Sequence, residues 1–295
     1  MRVAVIGANG QLGRECIEAF RAAGHTAEGG DLPDVDLEHE AALVEFLAAG
    51  RPDWVVNAAA FTNVDGCETD PALARRVNTD GPARLARLAR DRGARLLHVS
   101  TDFVFDGAMA PPGEYSEDDE TNPVNVYGRS KLDGERGVQE AGGHWAIVRT
   151  AWLYGGGGGF LAAVLRRALA RGGTPVRVVT DQRGSPTRAW RLARQMVRLA
   201  EADASGLYHA AGSGSATRFE FARRFLDALS IPCVIEPATS EAFPVPARRP
   251  PNGALRNARL EAEGLSVFGD WREDVDAYAS RHREEILRAA EPFNA

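Results

Sequence analysis

The chain opens on a short β-branched run, residues 3–6, and three glycines follow at once: Gly7, Gly10 and Gly13 in "GANGQLG". A helical pattern, "RECIEAFRAAG", starts directly after them and stops at Gly24. A buried strand, a glycine turn and a helix in that order leave few folds open. Glycine permits the tight turn and a close backbone approach to phosphates. The helix N-terminus adds unpaired N–H groups and the positive end of its dipole. The spacing is G-x-x-G-x-x-G in strand–turn–helix context, which points to a bound dinucleotide rather than a structural turn. Gln11 and Leu12 lie inside the turn and count as cofactor contacts with the glycines.

The alternation continues. Residues 25–29 read as a second strand ending before Asp31, and residues 39–50 as a helix closed by Gly50. Residues 53–60 read as a strand entering a small-residue turn, and 70–93 as helix with a bend near Gly81–Pro82. Residues 94–105 and 144–155 each read as one further strand. No hairpin signal interrupts this order from residue 1 to about 155. It implies an α/β fold: a doubly wound parallel sheet, Rossmann-like, with helices on both faces. Residues 1–155 form the dinucleotide-binding domain, with 172–205 adding to it. Residues 156–295 form mainly a smaller substrate-binding region. There, 160–173 and 188–202 read as helices and 175–179 as a strand. The proline-rich stretch 232–251 reads as irregular loop, and Gly155 to Gly159 as a flexible loop tip.

Composition narrows the class. A length of 295 residues suits one large domain or a main domain with a smaller one. The net charge of −6 sets up no basic field for nucleic acid. Arg188, Arg191, Arg194 and Arg198 recur at helical spacing and read as a solvated face. Cys16, Cys67 and Cys233 match no zinc or disulfide pattern, which favours a reducing compartment. No apolar run approaches the ~18 residues of a membrane span, and the N-terminus lacks a signal-peptide pattern. The expectation is a cytoplasmic protein with no nucleic-acid or membrane partner.

In "NVYGRSKLDGE", Tyr127 and Lys131 stand four residues apart, so a helix puts them on one face. Free phenols and ammonium groups titrate near ~10 and ~10.4, too high for neutral proton transfer unless the site shifts them. A cation at Lys131 would lower the phenol, making Tyr127 a proton donor. Thr101, at the end of "LLHVS", could orient the reacting oxygen or simply cap the strand. Arg129, Asp133 and Glu135 should face solvent. Asp31 and Asp36 are candidates for the adenosine end, or else solvated loop carboxylates. Ala58, Ala59 and Ala60 either admit a cofactor or serve helix–sheet packing.

The glycine spacing, Thr101 and the Tyr-x-x-x-Lys pair together resemble the extended short-chain dehydrogenase/reductases. "NAAAFTNVDGCE", "VSTDFVFDG", "NPVNVYGRSKLDGE", "VRTAWLYG", "VVTDQRGSPT", "GLYHAAG" and "ARRP" are similar to the successive signatures of the dTDP-4-dehydrorhamnose reductases among them. These cover residues 7 to about 250. The chain departs from the pattern at Phe103, Gly159 and Gly253.

The resemblance implies reduction of the C4 ketone of a dTDP-linked 4-keto-6-deoxy sugar by NADPH or NADH. Asp31 leans toward NADH, because it would repel a 2′-phosphate. Tyr127, Lys131 and Thr101 are then catalytic. Tyr127, Lys131, Thr62, Leu37 and Asp36 touch the cofactor with the residues already named. Thr101, Val64, Asp102 and Trp152 touch the sugar, Trp152 as an aromatic wall or as core. Asp181, Gln182 and Arg249 (or Arg248) would meet the nucleotide end. Some such reductases dimerise through metal-binding acids. Arg188–Trp190 carries no such cluster, so no metal is expected, while a homodimer is allowed. Two other outcomes stay open. One is a non-catalytic dinucleotide-binding subunit like the regulatory partners of methionine adenosyltransferase, which would not need Thr101, Tyr127 and Lys131 together. The other is a reductase giving the 4-epimeric deoxytalose.

Overall fold

The computed structural model describes residues 1–156, 158–170 and 175–290. Gly157 of the glycine run, and residues 171–174 at the end of the expected helix and the start of the 172–205 segment, lie outside them. Five parallel strands come first: β1 (Arg2–Ile6), β2 (Thr26–Gly30), β3 (Trp54–Asn57), β4 (Arg95–Thr101) and β5 (Trp145–Thr150). A sixth, Gly206–His209, pairs in parallel with β5. The sheet order is Gly206–His209, β5, β4, β3, β1, β2. The chain therefore reverses its winding between β1 and β3, and a crevice opens there beyond the carboxyl ends of the strands.

The interior strands β1, β3, β4 and β5 read as near-continuous apolar runs because both their faces are covered, whereas the edge strand β2 is largely exposed. Val3 and Val5 pack with Leu12, Cys16 and Phe20 of helix α1 (Gln11–Ala22), and with Leu192 and Met196 of the Ala189–Glu201 helix. Ala4 and Ile6 point the other way, onto Leu43 and Leu47 of α2 (Glu40–Gly50), Leu85 and Val138. A second core gathers Tyr154, Leu165, Val176, Phe221, Phe225 and Trp271. Strand Val176–Val179 pairs there with Ile235–Ala238, outside the large sheet.

Four local expectations change. The 70–93 helix is interrupted by a π-helical turn, Arg76–Asp80, just before Gly81–Pro82. The single strand expected over 144–155 breaks at Ala151–Trp152, where Trp152 takes φ +43°. The stretch 232–251 is not wholly irregular: Ile235–Ala238 is a strand despite Pro237, on a two-stranded sheet that gives it edge positions. The arginine face is only half solvated. Arg194 and Arg198 are exposed. Arg188 is buried with its guanidinium over the Trp190 and Tyr278 rings, and Arg191 grips the buried Asp274 carboxylate with two nitrogens. Among the described residues, no helix is long and apolar enough to cross a membrane.

Candidate active site

A cavity of about 950 Å³ fills the crevice. At one end lies the glycine turn. Gly7 leaves β1 with φ +82°, and a Cβ there would stand 2.7 Å from the Ala59 nitrogen. At Gly13 it would stand 2.0 Å from the Gly7 oxygen, so α1 can close on the turn only with glycine at that position. Gly13 itself does not line the cavity, whereas Gly7, Gly10, Gln11 and Leu12 do. Helix α1 has Gly10 as N-cap, no side-chain cap and no acid in its first turn. Its first N–H groups are therefore open to an anion. The Gln11 side-chain nitrogen is buried with no partner, an orphan that a bound polar group would satisfy.

The adenosine side is legible too. Asp31 lines the cavity just beyond β2, accepting from the Asn9 N–H at 2.6 Å and the Leu32 N–H at 2.8 Å. Asp36 and Leu37 line it as well, with Asp36 accepting from the Glu38 N–H at 2.9 Å. Ala58, Ala59, Ala60, Thr62 and Val64 follow β3 along one wall. Ala58 and Ala59 also pack against the two sheet cores, while all three alanines line the cavity. Asn78, in the π-helical turn, holds this wall. It accepts from the Phe61 N–H at 2.8 Å and donates to the Phe61 oxygen at 3.0 Å and to Ser130 Oγ at 3.1 Å. Nothing in the sequence marked it out.

At the other end stand Thr101, Asp102, Tyr127, Lys131, Trp152 and Arg249. Tyr127 and Lys131 share one face of the Val126–Ala141 helix, whose N-cap Asn125 accepts from the Gly128 N–H at 2.7 Å. The same asparagine donates to the Arg248 oxygen at 2.8 Å, fixing the helix start to the C-terminal region. Gly128 brings the helix against β4's exit, since a Cβ there would stand 2.0 Å from the Phe103 oxygen. The Lys131 ammonium donates to the Val99 oxygen of β4 at 2.8 Å. Two residues on, the Thr101 hydroxyl stands beside the Tyr127 phenol and favours its ionised form.

One electrostatic expectation is overturned. Burial pushes the Tyr127 phenol up, outweighing the Thr101 hydroxyl, and the neighbouring Asp102 and Cys67 add to the rise. Burial also lowers Lys131, to about 8, against the attraction of Glu135. In the protein alone, desolvation of both groups wins over the cation's pull on the phenol.

Glu135 is the second correction. It is no solvated residue: 2% exposed, it takes Arg149 bidentately at 2.9 and 2.7 Å and accepts from the Ser100 hydroxyl. Trp152 serves both readings. It lines the cavity, lies over Gly184, and packs near Phe221 at 6.2 Å. Arg218 stands 3.6 Å over its ring and lines the cavity, a group the sequence did not point to. Burial lowers Arg218 to about 10, against the attraction of Asp102. Arg249 is spent on Asp65 at 2.8 Å and on the Ala247 oxygen. Asp181 and Gln182 do not line this cavity; both bond Ser240.

A family model, the RmlD substrate binding domain, matches residues 1–284. The dTDP-4-dehydrorhamnose reductase of Mycolicibacterium smegmatis is 40% identical over 282 residues, 95% of this chain and 85% of that protein. The solved structure of such a reductase from Clostridium acetobutylicum superposes with a TM-score of 0.91 at 35% identity, covering 96% of this chain and all of that one. One from Bacillus anthracis, in complex with NADP, gives 0.90 at 31% identity, covering 95% and 99%. On these matches the chain belongs to the dTDP-4-dehydrorhamnose reductase family of the extended short-chain dehydrogenase/reductases.

Proposed function

We propose that the protein reduces the C4 ketone of dTDP-4-dehydro-L-rhamnose to dTDP-L-rhamnose with NADPH or NADH. One observation carries this reading. Thr101, Tyr127 and Lys131 converge in the same cavity that receives the glycine turn and Asp31. The nicotinamide, when bound, supplies the hydride. The open N–H groups of Gln11 and Leu12, at the start of α1, hold the dinucleotide's phosphates, with Gly7 and Gly13 letting the backbone and the helix approach. Asp31, Asp36 and Leu37 receive the adenosine end, while Ala58, Ala59, Ala60 and Thr62 border the bound dinucleotide. Lys131, anchored by Val99, donates to the cofactor ribose.

Tyr127 gives its proton to the oxygen at C4, and Thr101 orients that oxygen. The raised phenol suits this direction, because the residue starts each reduction protonated. Val64, Asp102 and Trp152 enclose the sugar. The diphosphate falls to Arg218 rather than to Arg249, which Asp65 already neutralises. We carry no role for Asp181 or Gln182 into the site.

Arg218→Met should raise KM for the sugar nucleotide about 10- to 100-fold, the worth of charge-assisted bonds to one cation, and leave KM for NADPH within about twofold. Lysine should not restore it, since only a planar guanidinium stacks on Trp152. Equal losses for both substrates would remove Arg218 from this role.

In this reading residues 1–155 make up the cofactor-binding part; of the segment 172–205 expected to join it, the Ala189–Glu201 helix packs on the large sheet while the Val176–Val179 strand lies outside it, and 156–295 is mainly the substrate-binding part. In this reading the protein works in the cytoplasm on a free nucleotide sugar and not on nucleic acid or membrane, and a homodimer is allowed. The test is incubation with NADPH and the 4-keto sugar nucleotide. It should give cofactor oxidation and dTDP-L-rhamnose; the dTDP-linked deoxytalose would correct the product, and dinucleotide binding without turnover would favour the regulatory-subunit reading.

A further inference from the structure

Beside Tyr127 lies an ionisable group that proton donation leaves without a task. Asp102 is 3% exposed and lines the cavity. The Thr101 hydroxyl donates to its Oδ1 at 3.1 Å and stands close enough to the Tyr127 phenol to oppose the rise of its pKa. The Phe103 N–H donates to Thr101 Oγ1 at 3.2 Å, holding that oxygen between the two. On the carboxyl's other side is the Gly253 backbone, where a Cβ would stand 2.3 Å from Oδ2. Carboxyl, hydroxyl and phenol are neighbours in one cavity, with the hydroxyl bonded to the carboxyl.

A phenol that has given up its proton must regain one before the next reduction. We propose that Asp102 reprotonates Tyr127 through the Thr101 hydroxyl, an inference that rests on the reductase reading above. The steps balance. The sugar's C4 oxygen takes the phenol proton and leaves a phenolate. The Thr101 hydroxyl gives its proton to the phenolate and takes the proton of the Asp102 carboxylic acid. Asp102, now a carboxylate, takes a proton from water in the cavity. A hydroxyl suits the middle position because it donates and accepts at once.

The charged and titratable groups facing these three come from several elements. Tyr127 and Lys131 belong to the Val126–Ala141 helix, with Glu135 one turn behind Lys131. Arg218 opens the Arg218–Ala228 helix, Arg249 faces Arg218, and Cys67 lies beside Tyr127. Burial dominates at Asp102 and raises it to about 7, against the Thr101 hydrogen bond and the attraction of Arg218. The carboxyl therefore holds a proton below neutrality and loses it above. The supply weakens as pH rises through that value.

The experiment mixes NADPH-loaded enzyme rapidly with the 4-keto sugar nucleotide, for wild type and Asp102→Asn. The first turnover spends the proton already on Tyr127, so it is spared relative to later ones. In the variant the ratio of first-turnover to steady-state rate should rise at least about tenfold over wild type, the low end of a general-acid contribution. The alkaline fall of wild-type kcat near neutrality should vanish with it. An unchanged ratio, with the first turnover and the steady state slowed alike or with KM raised, would assign Asp102 to sugar binding alone and overturn the proposal. Wild type gives an independent reading: kcat in mixed light and heavy water should bow with deuterium content, as several protons move together. A straight line would also overturn it. Wild type that never oxidises NADPH would sink the reductase reading and the relay with it.

Discussion

Tyr127→Phe should lower kcat by about 10²- to 10⁴-fold, the range for losing a general acid placed on the reacting oxygen. The change removes one oxygen and little else. The ring keeps its edge-on contact with Phe103 at 5.6 Å, and the helix keeps its Asn125 cap. Dinucleotide binding rests on the glycine turn and the β2 end of the cavity, so it should survive. Steady-state turnover, paired with a titration of NADPH binding, separates the two effects. Lost turnover with retained binding is the expected result. Wild-type-like turnover would strip Tyr127 of its role.

Glu135→Gln should destabilise the protein by about 3–5 kcal/mol, the cost of stranding one partner of a buried ion pair. Both side chains are deeply buried, at 5% exposure for Arg149 and 2% for Glu135. Arg149 has no ready substitute: its third guanidinium nitrogen already lacks a partner, and its face lies over the Phe105 ring. A melting temperature lower by on the order of 10 °C follows for a chain of this size. Replacing both residues by methionine should recover much of that loss, since no charge is then stranded. The pair also matters to the site. Glu135 stabilises the Lys131 cation, so the glutamine variant should carry less charge on Lys131 at neutral pH than the wild type does. A melting temperature within a degree or two of wild type would refute the account of this pair.

The parallel sheet is legible because its interior strands are buried on both faces, and their continuous apolar runs alternate with helical periods. The glycine turn was legible because a backbone approach that admits no Cβ leaves only one residue type. Local text said less where tertiary packing chose the conformation. Trp152 takes φ +43° with its ring held between Gly184 and Arg218, contacts made by residues distant in sequence. Glu135 sits at a spacing that looked solvated, and only the fold brings Arg149 and Ser100 onto it. Asn78 and Arg218 lay in unremarkable helical stretches for the same reason. The direction of the Tyr127 shift is not legible, because it is set by burial, which a sequence does not show, with Asp102 and Cys67 adding to it.

The central claim is that hydride reaches C4 of the sugar in the cavity where Tyr127 and Thr101 stand. NADPH carrying deuterium at the transferred position tests it most directly, with the 4-keto sugar nucleotide as acceptor. The account predicts dTDP-L-rhamnose with deuterium at C4, formed in step with cofactor oxidation and all but lost with Tyr127→Phe. Oxidised cofactor without deuterium at C4, or labelled product formed equally fast by Tyr127→Phe, would contradict it.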